Sequence, residues 1–151
     1  MKFTPMTDKD IASSLLFPEG VYEAEVFEAF DNDANGKPLL TKNGNEKIDL
    51  QCKVYDANQK SRIVKCVLTT AFMKLFKHFC DVTNLQDKYN SGNLTAKDCL
   101  SVKTNFLVEI KIKEYVGNDG KDYCMNVISD FLPLNNKSYN KDTPFIDDIA
   151  F

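Results

Sequence analysis

The sequence of 151 residues has no tryptophan, one histidine and five cysteines, and these scarcities exclude several kinds of site. His78 is the only imidazole and no C-x-x-C pair occurs, so the closely spaced ligands of a structural zinc site are missing. The wide cysteine spacing is also unlike a disulfide framework. We therefore expect free thiols that pack as small hydrophobic groups, at Cys52, Cys66, Cys80, Cys99 and Cys124.

Long apolar runs are missing as well. No stretch approaches the roughly 18–20 apolar residues that span a bilayer, and the charges of Lys2, Asp8 and Lys9 interrupt any signal-peptide core. With 43% hydrophobic and 27% charged residues the chain can still bury a core, which excludes global disorder. We expect one cytoplasmic domain of ordinary size without a membrane partner.

Catalytic motifs are also missing from the sequence. It contains no G-x-S-x-G, P-loop, G-x-G-x-x-G or H-E-x-x-H pattern. His78 and Cys80 are two positions apart on a predicted helix and do not face each other. We expect a protein that is not an enzyme and needs no cofactor. The alternative is a metal-dependent nuclease using Asp31 and Asp33, although solvated loop carboxylates are the simpler interpretation of that pair.

Periodicity predicts a mostly-β chain with one main helix. Alternation of apolar and polar residues favours strands, and the stripe of Phe72, Leu75, Phe76 and Phe79 favours a helix with Thr70 as its N-cap. The predicted strands are 21–30, 46–55, 61–68, 102–115 and 121–130, and the predicted helices are 8–17 and 70–80, with a helical or irregular connection over 81–100.

This order of elements is typical of the OB-fold, a five-stranded, partly open barrel with a helix between strands three and four. An unrelated α+β sheet with the helix packed on one face would give the same pattern. From Pro133 onward the periodicity stops, so we expect an OB domain over 1–133 and a flexible acidic tail over 134–151.

The outward faces of the predicted strands interleave basic and aromatic residues. Such faces suit single-stranded nucleic acid, because cations neutralise phosphates and aromatic planes stack on unpaired bases. Phe27 is either a further stacking platform or a core residue after a bulge. The candidate DNA-binding residues are Lys47, Lys53, Tyr55, Arg62, Lys65, Lys111, Lys113, Tyr115, Lys121 and Tyr123.

An ordinary solvent face is the alternative interpretation of these strands. Lys and Tyr are common on the exposed sides of strands, and the first 141 residues carry equal numbers of acidic and basic side chains. The body of the protein therefore has no overall positive charge to attract nucleic acid.

The acidic excess lies in the last ten residues, which contain three aspartates and no lysine or arginine. They end in an apolar tip at Phe151, next to the terminal carboxylate. Such a peptide can dock its aromatic ring in a pocket while basic residues of a partner hold its carboxylates. A merely solubilising tail is the alternative, but Ile149-Ala150-Phe151 is an unusual ending for solubility.

The tip Asp147-Asp148-Ile149-Ala150-Phe151 resembles the acidic tip of bacterial and phage single-stranded DNA-binding proteins, which typically runs Asp-Asp-Ile-Pro-Phe. Ala150 stands where that family usually has proline. The body resembles a group of phage-encoded OB-fold single-stranded DNA-binding proteins in three stretches, Leu16–Ala24, Lys42–Leu50 and Gly117–Lys121. The resemblance extends over most of the chain from Leu16 to Pro133, and the motifs occur in the same order.

The resemblance implies an accessory of DNA replication, recombination or repair that coats single strands without sequence preference. It also implies that the tip recruits other replication or recombination proteins, that the protein works in the host cytoplasm if a phage encodes it, and that a homo-oligomer is an open alternative. The rival function is an OB-fold protein-interaction module or inhibitor that binds no nucleic acid. Matched by position, the partner-binding residues are Asp147, Asp148, Ile149 and Phe151.

Overall fold

The computed structural model of the chain describes residues 1–135, except for the side chains of residues 9, 12 and 13. Nearly all of the predicted tail lies outside the described residues, and so do its candidate partner-binding residues Asp147, Asp148, Ile149 and Phe151.

The described residues form five strands and four short helices. The strands are β1 (Gly20–Phe30), β2 (Lys47–Tyr55), β3 (Ser61–Thr69), β4 (Phe106–Val116) and β5 (Asp122–Leu132). The helices are α1 (Asp8–Ser14), α2 (Met73–Val82), α3 (Gln86–Ser91) and α4 (Ala96–Leu100), and a 3-10 turn at Thr70–Phe72 precedes α2. No helix in this part of the chain has the length and apolar character needed to cross a membrane.

All five strands pair antiparallel in one sheet with the order β3-β2-β1-β4-β5. The prediction of a mostly-β fold is therefore confirmed. β2 shows the physical reason most clearly, because Ile48, Leu50, Cys52 and Val54 are all buried while the residues between them are partly exposed. A strand with this period of two presents one side to the core and the other to solvent.

The sheet curls but does not close into a barrel. β3 and β5 are its two edges, and no hydrogen-bonded ladder joins them among the described residues. Some of their Cα atoms nevertheless come within 8 Å of each other, on the side where α2 packs. The inner face is therefore wrapped around the core, and the outer face is convex.

Three phenylalanine rings join α2 to the inner face of the sheet. Phe79 of α2, Phe106 of β4 and Phe131 of β5 are fully buried. They meet edge to face with centroid distances of 6.2, 5.2 and 5.6 Å, a favourable geometry for aromatic pairs. His78 adds a polar link, since its Nδ1 lies 2.6 Å from Oδ1 of Asp130 on β5. His78 is thus half-buried, and its contact with Asp130 ties α2 to the edge strand β5.

The start of α2 differs from the predicted helix. The helix begins at Met73, and residues 70–72 form the 3-10 turn. Such a turn has about 3.0 residues per turn instead of about 3.6, so Phe72 leaves the apolar stripe and is 69% exposed. Thr70 is not an N-cap; Thr69 precedes the turn, without a capping hydrogen bond from its side chain.

The fourth strand begins at Phe106 rather than at Val102, because α4 and the segment after it occupy the preceding residues. Leu107 alternates with the inward-facing Phe106 and Val108, so its side chain points to the opposite face of the sheet. It is nonetheless fully buried, as is its cross-strand partner Leu132. This end of β4 is therefore buried on both faces.

β1 contains a bulge that changes which of its side chains face outward. The register with β2 shifts between Val26 and Glu28, so Phe27 is an extra residue without a cross-strand partner. After the bulge Ala29 is buried and Phe30 is exposed, the reverse of what uninterrupted alternation gives. Phe27 itself is 47% exposed, which excludes the core alternative for this residue.

Candidate nucleic-acid interface

We term the side of the sheet opposite α2 the outer face. Directly opposed residues on neighbouring strands point to the same face of a sheet, so the pairing register places the candidate residues. Lys121 lies in the turn between β4 and β5. Eight of the other candidates lie on the outer face: Lys47, Lys53, Tyr55, Lys65, Lys111, Lys113, Tyr115 and Tyr123.

Arg62 is the exception among the candidates. It is three residues from Lys65 on β3, and side chains an odd number of positions apart on a strand point to opposite faces. Its Nη1 donates a hydrogen bond to the carbonyl oxygen of Leu15 at 3.0 Å. Arg62 therefore fastens the segment after α1 to the edge of the sheet, and its assignment to the candidate DNA-binding face was wrong.

The candidates on β2 already have partners within the protein. Lys47 forms an ion pair with Asp49 at 3.1 Å. Lys53 Nζ lies 5.7 Å from the ring centroid of Tyr55, and the Tyr55 hydroxyl donates to Glu25 Oε1 at 3.0 Å. Partial burial and this hydrogen bond raise the pKa of Tyr55. Its ring is thus held in a local network, which makes Tyr55 a poorer stacking platform than the sequence suggested.

An acidic strand divides the outer face into two regions. β1 carries Glu23, Glu25 and Glu28 on this face, and Glu23 is flanked by Tyr55 of β2 and Leu107 of β4. Glu23 Oε2 accepts a hydrogen bond from Asn105 Nδ2 at 2.9 Å. The basic residues therefore do not form one continuous surface, and each region has to be considered separately.

The clearest basic and aromatic region is a projecting hairpin. β4 pairs with β1 only as far as Ile110, and beyond it residues 111–116 pair only with residues 122–127 of β5. We term residues 111–127 the β4–β5 arm. Glu19 Oε2 accepts a hydrogen bond from the backbone N–H of Ile112 at 2.8 Å, which fixes the base of the arm to the body.

The two faces of the β4–β5 arm carry opposite charge. Its outer face places Lys111 beside Val127, Lys113 beside Met125 and Tyr115 beside Tyr123. The other face places Glu114 beside Cys124 and Val116 beside Asp122. Among the described residues neither Lys111 nor Lys113 has a carboxylate within 4.0 Å. The outer face of the arm therefore offers two cations next to aromatic rings.

Tyr115 and Tyr123 form a stacked pair, with ring centroids 5.6 Å apart and planes inclined by 23°. The rings are 43% and 37% exposed. The Tyr123 hydroxyl donates a short hydrogen bond to Asp119 in the turn, which raises the pKa of Tyr123 and lowers that of Asp119. The turn thus holds one ring in place, and the pair is a preformed aromatic surface beside Lys113.

Gly117 gives Tyr123 its position, and we expect Gly117→Ala to displace the ring. A Cβ at this residue would lie 2.6 Å from Cε2 of Tyr123, much closer than van der Waals contact. Unstacking should shift the Tyr123 ring resonances in an NMR spectrum and weaken binding to oligo-dT roughly fivefold or more, the smallest measured effect of losing one stacked base.

Gly20→Ala is the matched control for this substitution, because a Cβ there meets the Tyr22 ring at an ordinary 3.8 Å. It should leave both the spectrum of the arm and the affinity unchanged. If Gly117→Ala displaces the Tyr123 resonances but leaves the affinity for oligo-dT unchanged, the tyrosine pair is not part of the interface.

The exposed apolar side chains of the outer face that are missing from the predicted set include Met125, Phe30, and Ile63 and Val67 of β3. Met125 is opposite Lys113, and alternation from Tyr123 could have found it. Phe30 is opposite Asp49, but no residue pattern announces the bulge that turns its side chain outward.

Asp31 and Asp33, the carboxylates of the alternative metal-dependent nuclease, have structural roles. Asp31 Oδ2 accepts a hydrogen bond from the Ala96 backbone at 2.8 Å, and Asp33 Oδ1 accepts from the backbones of Asn35 and Lys37 at 2.8 and 3.0 Å. These two carboxylates therefore order the β1–β2 loop. Within residues 1–135 no three His, Cys, Asp or Glu side chains are grouped as metal ligands.

All five cysteines are free thiols, as predicted, and four of them are buried while Cys124 is partly exposed. Burial raises the pKa of Cys66 and of Cys99 to about 12 and that of Cys80 to about 11. These three thiols are therefore protonated near neutral pH and act as small core residues.

No protein-family model and no curated protein matches the chain.

Proposed function

We propose that the protein binds single-stranded DNA without sequence preference and that the β4–β5 arm is a principal contact. The observation that carries this proposal is the segregation of Lys111, Lys113, Tyr115 and Tyr123 on one face of a projecting hairpin. Lysines near exposed rings can hold phosphates while the rings stack on unpaired bases. In a duplex the bases are already stacked, so exposed rings favour the single strand.

The strand order supports an OB-fold as the architecture behind this function. If the edges β3 and β5 were joined, the ring would contain five strands, with α2 inserted between β3 and β4. A five-stranded, partly open barrel is the definition of the OB-fold, in which the face of strands two and three and the loops after strands one and four bind oligonucleotides. In this chain those loops are residues 31–46 and 117–121.

Protection from a nuclease tests the proposed function directly. A labelled oligo-dT should resist a single-strand-specific nuclease once the protein covers it, whereas a duplex of the same length should remain open to a duplex-specific nuclease. Unprotected oligo-dT at saturating protein and low salt would favour the rival function, a protein-interaction module that binds no nucleic acid.

The acidic tip is proposed to recruit other proteins of replication or recombination. Deleting Asp147–Phe151 should abolish this recruitment and leave binding to single strands unchanged or tighter, because two carboxylates that repel phosphates are removed. Pull-down of replication and recombination proteins and titration with oligo-dT, each with the full chain and the truncated chain, measure the two properties. Lost strand binding with retained partner binding would contradict this division of labour.

A further inference from the structure

The β-bulge in β1 exposes two aromatic rings on the part of the outer face that β1, β2 and β3 form. Phe27 is the extra residue of the bulge, and Phe30 is on the outer face because the bulge reverses the alternation. Each ring is 47% exposed. Large apolar side chains exposed close together on a sheet face usually mark a binding surface.

The cross-strand neighbours near these rings on β2 are Gln51 and Asp49, and Lys65 lies beyond Gln51 on β3. Gln51 opposes Glu28 at the bulge and is itself opposed by Lys65, so Lys65 is two strands, or about 10 Å, from Phe27. Phe30 opposes Asp49, whose charge is compensated by Lys47 at 3.1 Å.

Lys65 has no ion-pair partner within 4.0 Å among the described residues. Two exposed rings with a lysine that has no ion pair about two strands away thus resemble, in chemistry, the outer face of the β4–β5 arm.

We propose that Phe27 and Phe30 are base-stacking platforms for single-stranded DNA, and that the strand runs over β2 and β3 with Lys65 holding a phosphate. This inference rests on the proposed function and extends it to a second region, separated from the arm by the acidic residues of β1. Stacking of bases on aromatic rings, together with cations that track the backbone, binds single strands without sequence preference.

The bulge is the device that makes this surface possible. Uninterrupted alternation would place Phe30 on the inner face with Ala24 and leave Ala29 outside. One inserted residue instead turns Phe30 outward, where it lies three positions from Phe27 on the same strand. Glu28 lies between the two rings, and its carboxylate opposes the binding of phosphates, so Glu28→Gln should tighten binding to oligo-dT.

Tryptophan substitution tests the inference without depending on a loss of binding. The chain has no tryptophan, so Phe27→Trp or Phe30→Trp introduces a single indole whose fluorescence is quenched when a base stacks on it. Phe72→Trp is the matched control, because Phe72 is more exposed and lies on the 3-10 turn before α2. Oligo-dT should quench the emission at positions 27 and 30 and leave that at position 72 unchanged.

Leucine substitution measures the contribution of the rings to affinity. The variant F27L/F30L keeps apolar side chains and removes both aromatic planes. It should bind oligo-dT roughly 5- to 150-fold more weakly for each base that loses its platform. The salt dependence should keep its slope, because no phosphate contact is removed. F72L is the control and should bind like the unaltered protein.

The outcomes separate this inference from the proposed function. If the unaltered protein binds oligo-dT but F27L/F30L binds equally well, the second region is wrong and the function stands. If neither the unaltered protein nor any variant binds oligo-dT, the proposed function itself fails. If the tryptophan emission at position 27 or 30 is quenched without DNA, and more strongly as the protein concentration rises, the surface binds a second copy of the chain. That result would overturn the inference.

Discussion

Replacing Lys111 and Lys113 together by glutamine should weaken the binding of oligo-dT by about tenfold to a hundredfold at low salt. Both lysines lie on the outer face of the arm with no carboxylate within 4.0 Å in the described part of the chain. Their charges are therefore available to phosphates, and the expected loss corresponds to about 1.4–2.7 kcal/mol for the two lysines together.

The salt dependence gives a sharper readout than the affinity. Each phosphate neutralised on a single strand contributes about 0.7 to the slope of log K against log salt. K111Q/K113Q should therefore reduce the magnitude of that slope by about 1.4 if both lysines contact phosphates. Anisotropy titrations at four or five salt concentrations measure the slope for each protein.

Lys74 and Lys97 provide the matched control. They are exposed residues of α2 and α4 and lie away from the outer face. K74Q/K97Q changes the net charge by the same amount, so it should leave the slope nearly unchanged. Equal losses for the two double variants would mean that overall charge, and not the arm, determines binding.

The largest expected effect on stability comes from Phe79→Ala. Phe79 is fully buried between Phe106 and Phe131, with ring centroids 6.2 and 5.2 Å away. Removing a buried phenylalanine ring costs about 3–5 kcal/mol of stability, and the total free energy of unfolding of a domain is roughly 5–15 kcal/mol. Urea unfolding followed by circular dichroism should show the midpoint fall sharply.

The exposed Phe72 is the control for this experiment. Phe72→Ala removes the same side chain from the surface of the 3-10 turn, and surface substitutions change the free energy of unfolding by about 0.5 kcal/mol or less. Similar midpoints for the two alanine variants would contradict the packing of α2 against β4 and β5.

Much of the fold could be predicted because the strands alternate cleanly. β2 has four buried apolar residues at every second position, and such a period of two determines both the strand and its inner face. The outward positions of Lys111, Lys113 and Tyr115 followed from the same rule. The residues that share the apolar face of the helix were harder to predict. The 3-10 turn before α2 moves Phe72 out of this stripe, and no residue type in the sequence indicates it.

The site was harder to predict because it depends on register between strands. Alternation shows that Tyr55 and Glu25 each face outward, but only the pairing of β1 with β2 brings them within hydrogen-bond distance. The bulge at Phe27 likewise depends on how β1 fits β2 and has no sequence signature here. Arg62 was misplaced for a simpler reason, since it and Lys65 are an odd number of residues apart.

Fluorescence anisotropy of a labelled oligo-dT, beside a duplex of equal length, tests the central claim most directly. We expect tight binding to the single strand at low salt, little binding to the duplex, and a slope of log K against log salt no steeper than about −4, the limit for contacts by six lysines. Those six are Lys47, Lys53, Lys65, Lys111, Lys113 and Lys121. Absence of single-strand binding at low salt by a protein that circular dichroism shows to be folded, or equal binding to the duplex, would contradict the account.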